Sequence, residues 1–286
     1  MKEIFTALIT PFNQDQSIDY PGLFRLLDKL IHEGNKSFVL CGTTGETSTL
    51  KLEERRVLVE RILDKYPHIR VIIGICSNCT AEVIRHIQMY KDNQAIYAFL
   101  VIVPYYIKPN QEGIYRHFDM IGASTDKKIM IYNIPSRCGV GITPSTVIRL
   151  ATKHQNIIGM KQCGPLDDIK IIKKALPHFK VYLGDDHLLL EGLQCHIDGL
   201  ISVASHIDYP LIERIMQKRK QYDDAHLKIL SQFLFKEPNP APIKYILSEM
   251  GYIQNILRSP LTSITPQLQQ ELEALIENYQ KNNLKP

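Results

Sequence analysis

The chain has 286 residues, 44% apolar and 22% charged, with a formal net charge of +4 at pH 7. That length suits one large α/β domain or two small ones with a sizeable core. The charge is dense only at Lys127-Lys128, Lys173-Lys174 and Lys218 to Lys220, so neither nucleic acid nor a membrane is an expected partner.

The opening Met1-Lys2-Glu3 leads into an apolar segment that Pro11 cuts short, unlike a secretory leader. No later apolar run has the length of a membrane span, and a cytoplasmic location is expected. Cysteines stand at 41, 76, 79, 138, 163 and 195, without the spacing of a disulfide scaffold. Cys76-Ser77-Asn78-Cys79 is a lone C-x-x-C that would need two more ligands to hold zinc, and reduced thiols are the reading taken.

In chain order, Ile4 to Thr10 is an apolar run closed by Pro11, read as a strand. Leu23, Leu26, Leu27, Leu30 and Ile31 then fall at helical spacing within 20–32. Further strands are predicted over 37–41, 70–75, 98–103, 128–133, 157–161, 181–184 and 200–203. Helices are predicted over 51–65, 80–93, 111–124, 143–150, 166–175, 188–195 and 209–222, with more helix from about Leu227 onward. About eight β-α units without a linker-like tract predict a (β/α)8 TIM barrel as the catalytic domain over residues 1–224. Appended C-terminal helices over 225–286 are expected to pack on it. A doubly wound open sheet is the competing architecture, but its Gly-rich phosphate turn should follow the first strand, where the chain has Thr10-Pro11-Phe12-Asn13.

In such a barrel the residues at the carboxyl ends of the strands build the site. Lys161 ends the run Asn156-Ile157-Ile158-Gly159-Met160-Lys161-Gln162. Gly42-Thr43-Thr44-Gly45 follows a strand and precedes a helix, either as a plain glycine-bounded turn or as one whose N–H groups face an anion. Tyr132 and Arg137 lie at the end of the preceding strand and in its loop; strand packing and a loop salt bridge are their bland readings. An amine nucleophile must be neutral, and lowering a lysine pKa by about three units from about 10.4 costs roughly 4 kcal/mol, which burial at the barrel mouth is expected to supply. A lysine so tuned forms Schiff bases. A tyrosine and a threonine beside it can relay protons. The histidines lack ligand spacing and Asp185-Asp186 stands alone as a turn, so no metal is expected.

Thr10-Pro11-Phe12, Gly42-Thr43-Thr44-Gly45-Glu46, Pro104-Tyr105-Tyr106, Tyr132-Asn133-Ile134-Pro135-Ser136-Arg137, Gly159-Met160-Lys161 and Asn239-Pro240-Ala241-Pro242-Ile243-Lys244 occur in that order. Together they resemble the dihydrodipicolinate synthase and N-acetylneuraminate lyase superfamily, from the first strand to about Thr265. The resemblance implies class I aldolase chemistry with pyruvate as the Schiff-base donor and no metal or organic cofactor. The Tyr-Asn-x-Pro-Ser-Arg form resembles the synthase branch, in which the acceptor is L-aspartate-4-semialdehyde. A 2-keto-3-deoxy sugar-acid aldolase or lyase and a keto-acid-binding paralogue without turnover are the alternatives.

By the same resemblance Lys161 forms the imine, Tyr132, Thr43 and Tyr106 relay protons, Thr44 holds the pyruvate carboxylate and Arg137 the acceptor's. Gly184 and Ile201 line the site. A homodimer or homotetramer is implied, with Tyr106 reaching the neighbouring subunit's site. Asn78, Glu82 and Tyr105 match an allosteric lysine site, but Leu52 and Arg55 replace its usual histidines, and weak or absent lysine inhibition is expected. Gln162-Cys163-Gly164-Pro165 lacks the acid usual after the lysine, Cys138 replaces a common threonine, and the segment after Ile201 is shorter than usual. Cys138 and Cys163 fall near the site, so thiol reagents are expected to inactivate partially, with protection by pyruvate.

Overall fold

A computed structural model describes residues 2–218 and 221–283. Its strands are β1 (Glu3–Ala7), β2 (Ser37–Leu40), β3 (Arg70–Ile75), β4 (Ile96–Ile102), β5 (Ile129–Asn133), β6 (Ile157–Gln162), β7 (Lys180–Leu183) and β8 (Gly199–Ser202). They pair in sequence order, all parallel, and β8 returns to β1, closing a barrel. Val71-Ile72-Ile73 and Phe99-Leu100-Val101 are continuous buried runs, because each strand is covered by the barrel interior on one face and by helices on the other.

The helices between strands are α1 (Tyr20–His32), α2 (Leu52–Lys65), α3 (Thr80–Gln88), α4 (Gln111–Ala123), α5 (Pro135–Cys138), α6 (Pro144–Lys153), α7 (Leu166–Ala175) and α8 (Leu189–Gln194). α9 (Tyr209–Lys218), α10 (Gln221–Leu234), α11 (Ala241–Glu249) and α12 (Pro266–Asn283) follow β8. Amphipathic spacing sets the inward face of each: α1 turns Leu23, Leu26, Leu27 and Leu30 to the core, and its cap residue Asp19 accepts from Gly22 N at 2.9 Å. Among the described residues no helix is long and apolar enough to cross a membrane.

The seam where β8 meets β1 is polar inside. Thr6 on β1 shares a 2.7 Å hydrogen bond with Ser205 and receives the Asn35 amide. His206 accepts from Ile9 N at 3.2 Å through Nε2, and its Nδ1 lies 2.9 Å from Val203 O.

Several element ends differ from the predicted ones. The helix predicted over 80–93 stops at Gln88, where Tyr90 N bonds Ile87 O at 3.0 Å and Lys91 N bonds Gln88 O at 3.2 Å, tightening the chain into turns that bury Tyr90. The helix predicted over 188–195 is preceded by a 3-10 turn, Asp186–Leu188. The one predicted over 209–222 is two, α9 and α10; residues 219 and 220, with part of the Lys218 to Lys220 cluster, lie outside the described residues. Residue 224 lies within α10.

Candidate active site

The amino acids that gather at the carboxyl rim come from separate strands. Lys161 leaves β6 beside Tyr132 of β5, its register partner, and its Nζ lies 4.7 Å from the centroid of the Tyr132 ring. Side chains alternate along a strand, so Lys161 faces the barrel interior and Gln162 faces outward. There the Gln162 carboxamide accepts from Asn133 at 2.9 Å and donates to Pro165 O at 3.3 Å, tying down the loop that departs from the superfamily pattern. Gln162 therefore points away from the lysine, whereas the Cys163 thiol stays on its side, both it and Lys161 bordering the space at Gly184. A cleft of about 410 Å³, counted to its open mouth, is lined by Lys161, Tyr132, Thr43, Thr44, Thr47 and Ile201, with Cys41 and Cys76 behind them.

Gly42 to Glu46 forms a tight turn at the end of β2. The amides of Gly45, Glu46 and Thr47 bond back to Gly42 O and Thr43 O, whereas those of Thr43 and Thr44 make no hydrogen bond among the described residues. Two adjacent N–H groups are thus available beside the cleft, which favours the anion-binding reading over a plain turn. The Thr43 hydroxyl adjoins the Tyr132 phenol and lowers its pKa against the larger effect of burial. Thr44 Oγ1 accepts from Asn239 Nδ2 at 3.0 Å, which leaves its own proton to donate elsewhere. Thr10 braces the turn from β1, donating to Gly45 O at 2.8 Å.

Gly184, just after β7, donates its amide to Gln162 O at 2.9 Å, and a Cβ there would collide with Lys161 Cε and Cys163 Sγ. The absence of a side chain at this position is what lets the lysine pass. Arg137 is exposed on α5 and has no ion pair among the described residues, so the bland reading of a loop salt bridge is not realised. Tyr106 is not brought to Lys161 within one chain: it is 84% exposed, with φ +71°. Asn78 donates to Tyr105 O at 3.3 Å, and the Tyr105 hydroxyl neighbours the Cys76 thiol. Glu82 turns to Arg85 at 2.6 Å and to His86.

The electrostatics reverse the direction expected for Lys161. Burial is the largest influence on Lys161 and lowers its pKa, but negative charge on Tyr132, Cys163, Asp185 and Asp186 outweighs it and the net direction is upward. Lys161 therefore rests as an ammonium. Burial also holds the Tyr132 phenol above its ordinary value, Cys163 at about 12, and the Asp185 and Asp186 carboxyls above theirs. Asp186 is fully buried and accepts from Val203 N and Ala204 N at 3.0 and 3.1 Å. Burial raises the Cys138 thiol to about 11 and the Cys163 thiol to about 12, which keeps both largely protonated at pH 7. Among the described residues no group of His, Cys, Asp and Glu could hold a metal ion.

The model of the dihydrodipicolinate synthetase family matches residues 1–279. The chain belongs to this family. A 4-hydroxy-tetrahydrodipicolinate synthase of Hydrogenobaculum sp. is 38% identical over 283 residues, covering 96% of this chain and 97% of that protein. One from Listeria innocua is 37% identical over 290 residues, with 98% and 99% covered. The crystal structure of dihydrodipicolinate synthase from Aquifex aeolicus superposes with a TM-score of 0.93 at 34% identity, over 98% of each chain. Among solved structures the family's barrel is thus the barrel found here.

Within the family motifs lie contacts whose roles the sequence did not assign. Glu46 and Lys244 form a wholly buried ion pair, and Asn239 reaches Thr44. Their one sequence signal was that both segments stand in the ordered motif set; nothing in their spacing pairs residues so far apart.

Proposed function

We propose that the chain is a cytoplasmic 4-hydroxy-tetrahydrodipicolinate synthase, a lyase that condenses pyruvate with L-aspartate-4-semialdehyde through an imine on Lys161. The observation that carries the reading is the placement of Lys161 Nζ against Tyr132 in a cleft whose far wall offers the two unpaired amides of Thr43 and Thr44. The pyruvate carboxylate sits on those amides and the Thr44 hydroxyl, with Gly184 and Ile201 lining the remaining wall. Lys161 gives up a proton and attacks the keto carbon. Tyr132, with Thr43 beside it, returns that proton to the carbinolamine oxygen, which leaves as water. The iminium is itself the electron sink for enamine formation, so the route calls for no metal or organic cofactor. Arg137, without an ion pair among the described residues and beside the rim, takes the semialdehyde carboxylate. Tyr106 completes the relay in a partner chain's site, which makes the working unit a homodimer or homotetramer. Asn78, Glu82 and Tyr105 form a weak or silent lysine site.

Incubation with pyruvate and borohydride, followed by peptide mass analysis, is expected to place one reduced adduct on Lys161; an unmodified Lys161 would refute the imine. Arg137→Ala is expected to raise KM for the semialdehyde on the order of tenfold to a hundredfold, the worth of a charge-assisted hydrogen bond, with KM for pyruvate unchanged. Equal changes in both would deny Arg137 its acceptor role and return the sugar-acid aldolase to consideration.

A further inference from the structure

The turn that carries Thr43 and Thr44 is gripped from the far end of the chain. Lys244, on α11, is 0% exposed; its Nζ donates to Glu46 Oε1 and, at 2.9 Å, to Ile256 O, and it stands 4.2 Å over the Phe12 ring. The other Glu46 oxygen accepts from Arg258 N at 3.0 Å. Two residues before α11, Asn239 holds Thr44 Oγ1. Glu46 itself has φ +52°, a left-handed conformation unfavourable to a glutamate unless its surroundings hold it there. Burying two charges offsets most of their attraction, so such a pair contributes geometry more than stability.

We infer that Lys244 and Asn239 are positioning residues for the keto-acid carboxylate: through Glu46 and Thr44 they preset the turn on which that carboxylate binds. The inference rests on the imine reading above and extends it to the C-terminal helices. Neither residue lines the cleft, so neither touches substrate. Asn239 fixes which way the Thr44 proton points. Lys244 fixes the turn's backbone through the Glu46 carboxylate.

The charged groups acting on Lys244 are Glu46, which favours its ammonium, and Arg258, which opposes it; burial, the largest influence, brings its pKa down to about 8. The clamp therefore loosens as pH rises past about 8, and this separates positioning from mere packing.

The test measures KM for each substrate, kcat, and the borohydride-trapped adduct in wild type, Lys244→Met and Asn239→Ala, from pH 7 to pH 9. Lys244→Met is expected to raise KM for pyruvate at least tenfold at pH 7, with kcat within about threefold, KM for the semialdehyde unchanged and full trapping at saturating pyruvate. The gap to wild type should close toward pH 9, where wild-type Lys244 has lost its own charge. Asn239→Ala, which strands no buried charge, should raise KM for pyruvate by a factor that does not vary with pH, and it keeps the test alive if Lys244→Met fails to fold. Unchanged KM for pyruvate in folded variants, or a pH-independent Lys244→Met gap in which kcat and both KM values shift together, overturns the inference. A wild type that forms no adduct on Lys161 removes the reading beneath it, so the two failures are told apart.

Discussion

The resting charge of Lys161 decides how protons move. An ammonium that becomes an iminium keeps its charge, and the proton it gives up is the one that turns the carbinolamine hydroxyl into water, so on the proposed route pyruvate capture releases no net proton. The heat of pyruvate binding is accordingly expected to be the same in buffers of different ionisation enthalpy at one pH near neutrality; a heat that tracks the buffer would mean that Lys161 rests neutral. Tyr132→Phe keeps the ring 4.7 Å from the ammonium and removes only the hydroxyl beside Thr43. Its kcat is expected to fall roughly 10²- to 10³-fold in steady-state assays, the usual share of a positioned acid-base group, and an unchanged kcat would take Tyr132 out of the relay. The lysine itself was legible in the sequence because it ends an apolar run. Its charge was not, since Asp185 and Asp186 come to it only once β6 and β7 lie side by side.

At the scale of elements, the β1–β8 seam makes the barrel sensitive to acid. His206 accepts from Ile9 N through Nε2, so a second proton would set an N–H against an N–H, and burial holds its pKa at about 4 against an ordinary 6.5. His117, whose Nε2 is buried without a partner, is likewise at about 4. For both, the unfolded chain takes up the proton first as pH falls. The contribution of the two histidines to stability is therefore level above about pH 6.5, declines between 6.5 and about 4, and levels off below. The loss is about 3 kcal/mol for each histidine, and unfolding in urea at pH 7, 5.5 and 4.5 measures it. Equal stability at the three values would mean that neither imidazole is held neutral. The strands were legible because a buried parallel strand reads as an unbroken apolar run. Helix ends were less so: nothing local marks Met89 as the point where α3 gives way to turns, because the burial of Tyr90 causes it.

For the whole molecule, the exposed Tyr106 and its neighbour Ile107, 84% and 60% exposed, are the part of the proposed relay that one chain leaves outside its own cleft. If Tyr106 serves the partner's site, an inactive Lys161→Ala protein mixed and reassembled with a weak Tyr106→Phe protein regains activity, because hybrid dimers carry one site with both residues intact. Activity equal to the average of the two parents would place Tyr106 outside the neighbour's site. The barrel was legible from eight apolar runs and the lack of a phosphate turn after the first. What no local pattern disclosed is that the C-terminal helices reach the rim, since Lys244 and Glu46 are 198 residues apart.

That reach sets an order on biosynthesis. Arg258 donates to Gln16 O and to the Glu54 carboxylate, 242 and 204 residues earlier, and Lys244 to Glu46. On a ribosome adding about 5–20 residues per second, the loops of the first two units emerge many seconds before the residues that clasp them. A nascent chain halted ahead of α11 has all eight strands in hand and a mouth still unlatched. The first part of the rim to be made is the last to be finished, so the enzyme becomes competent near the end of its own translation rather than when its barrel closes.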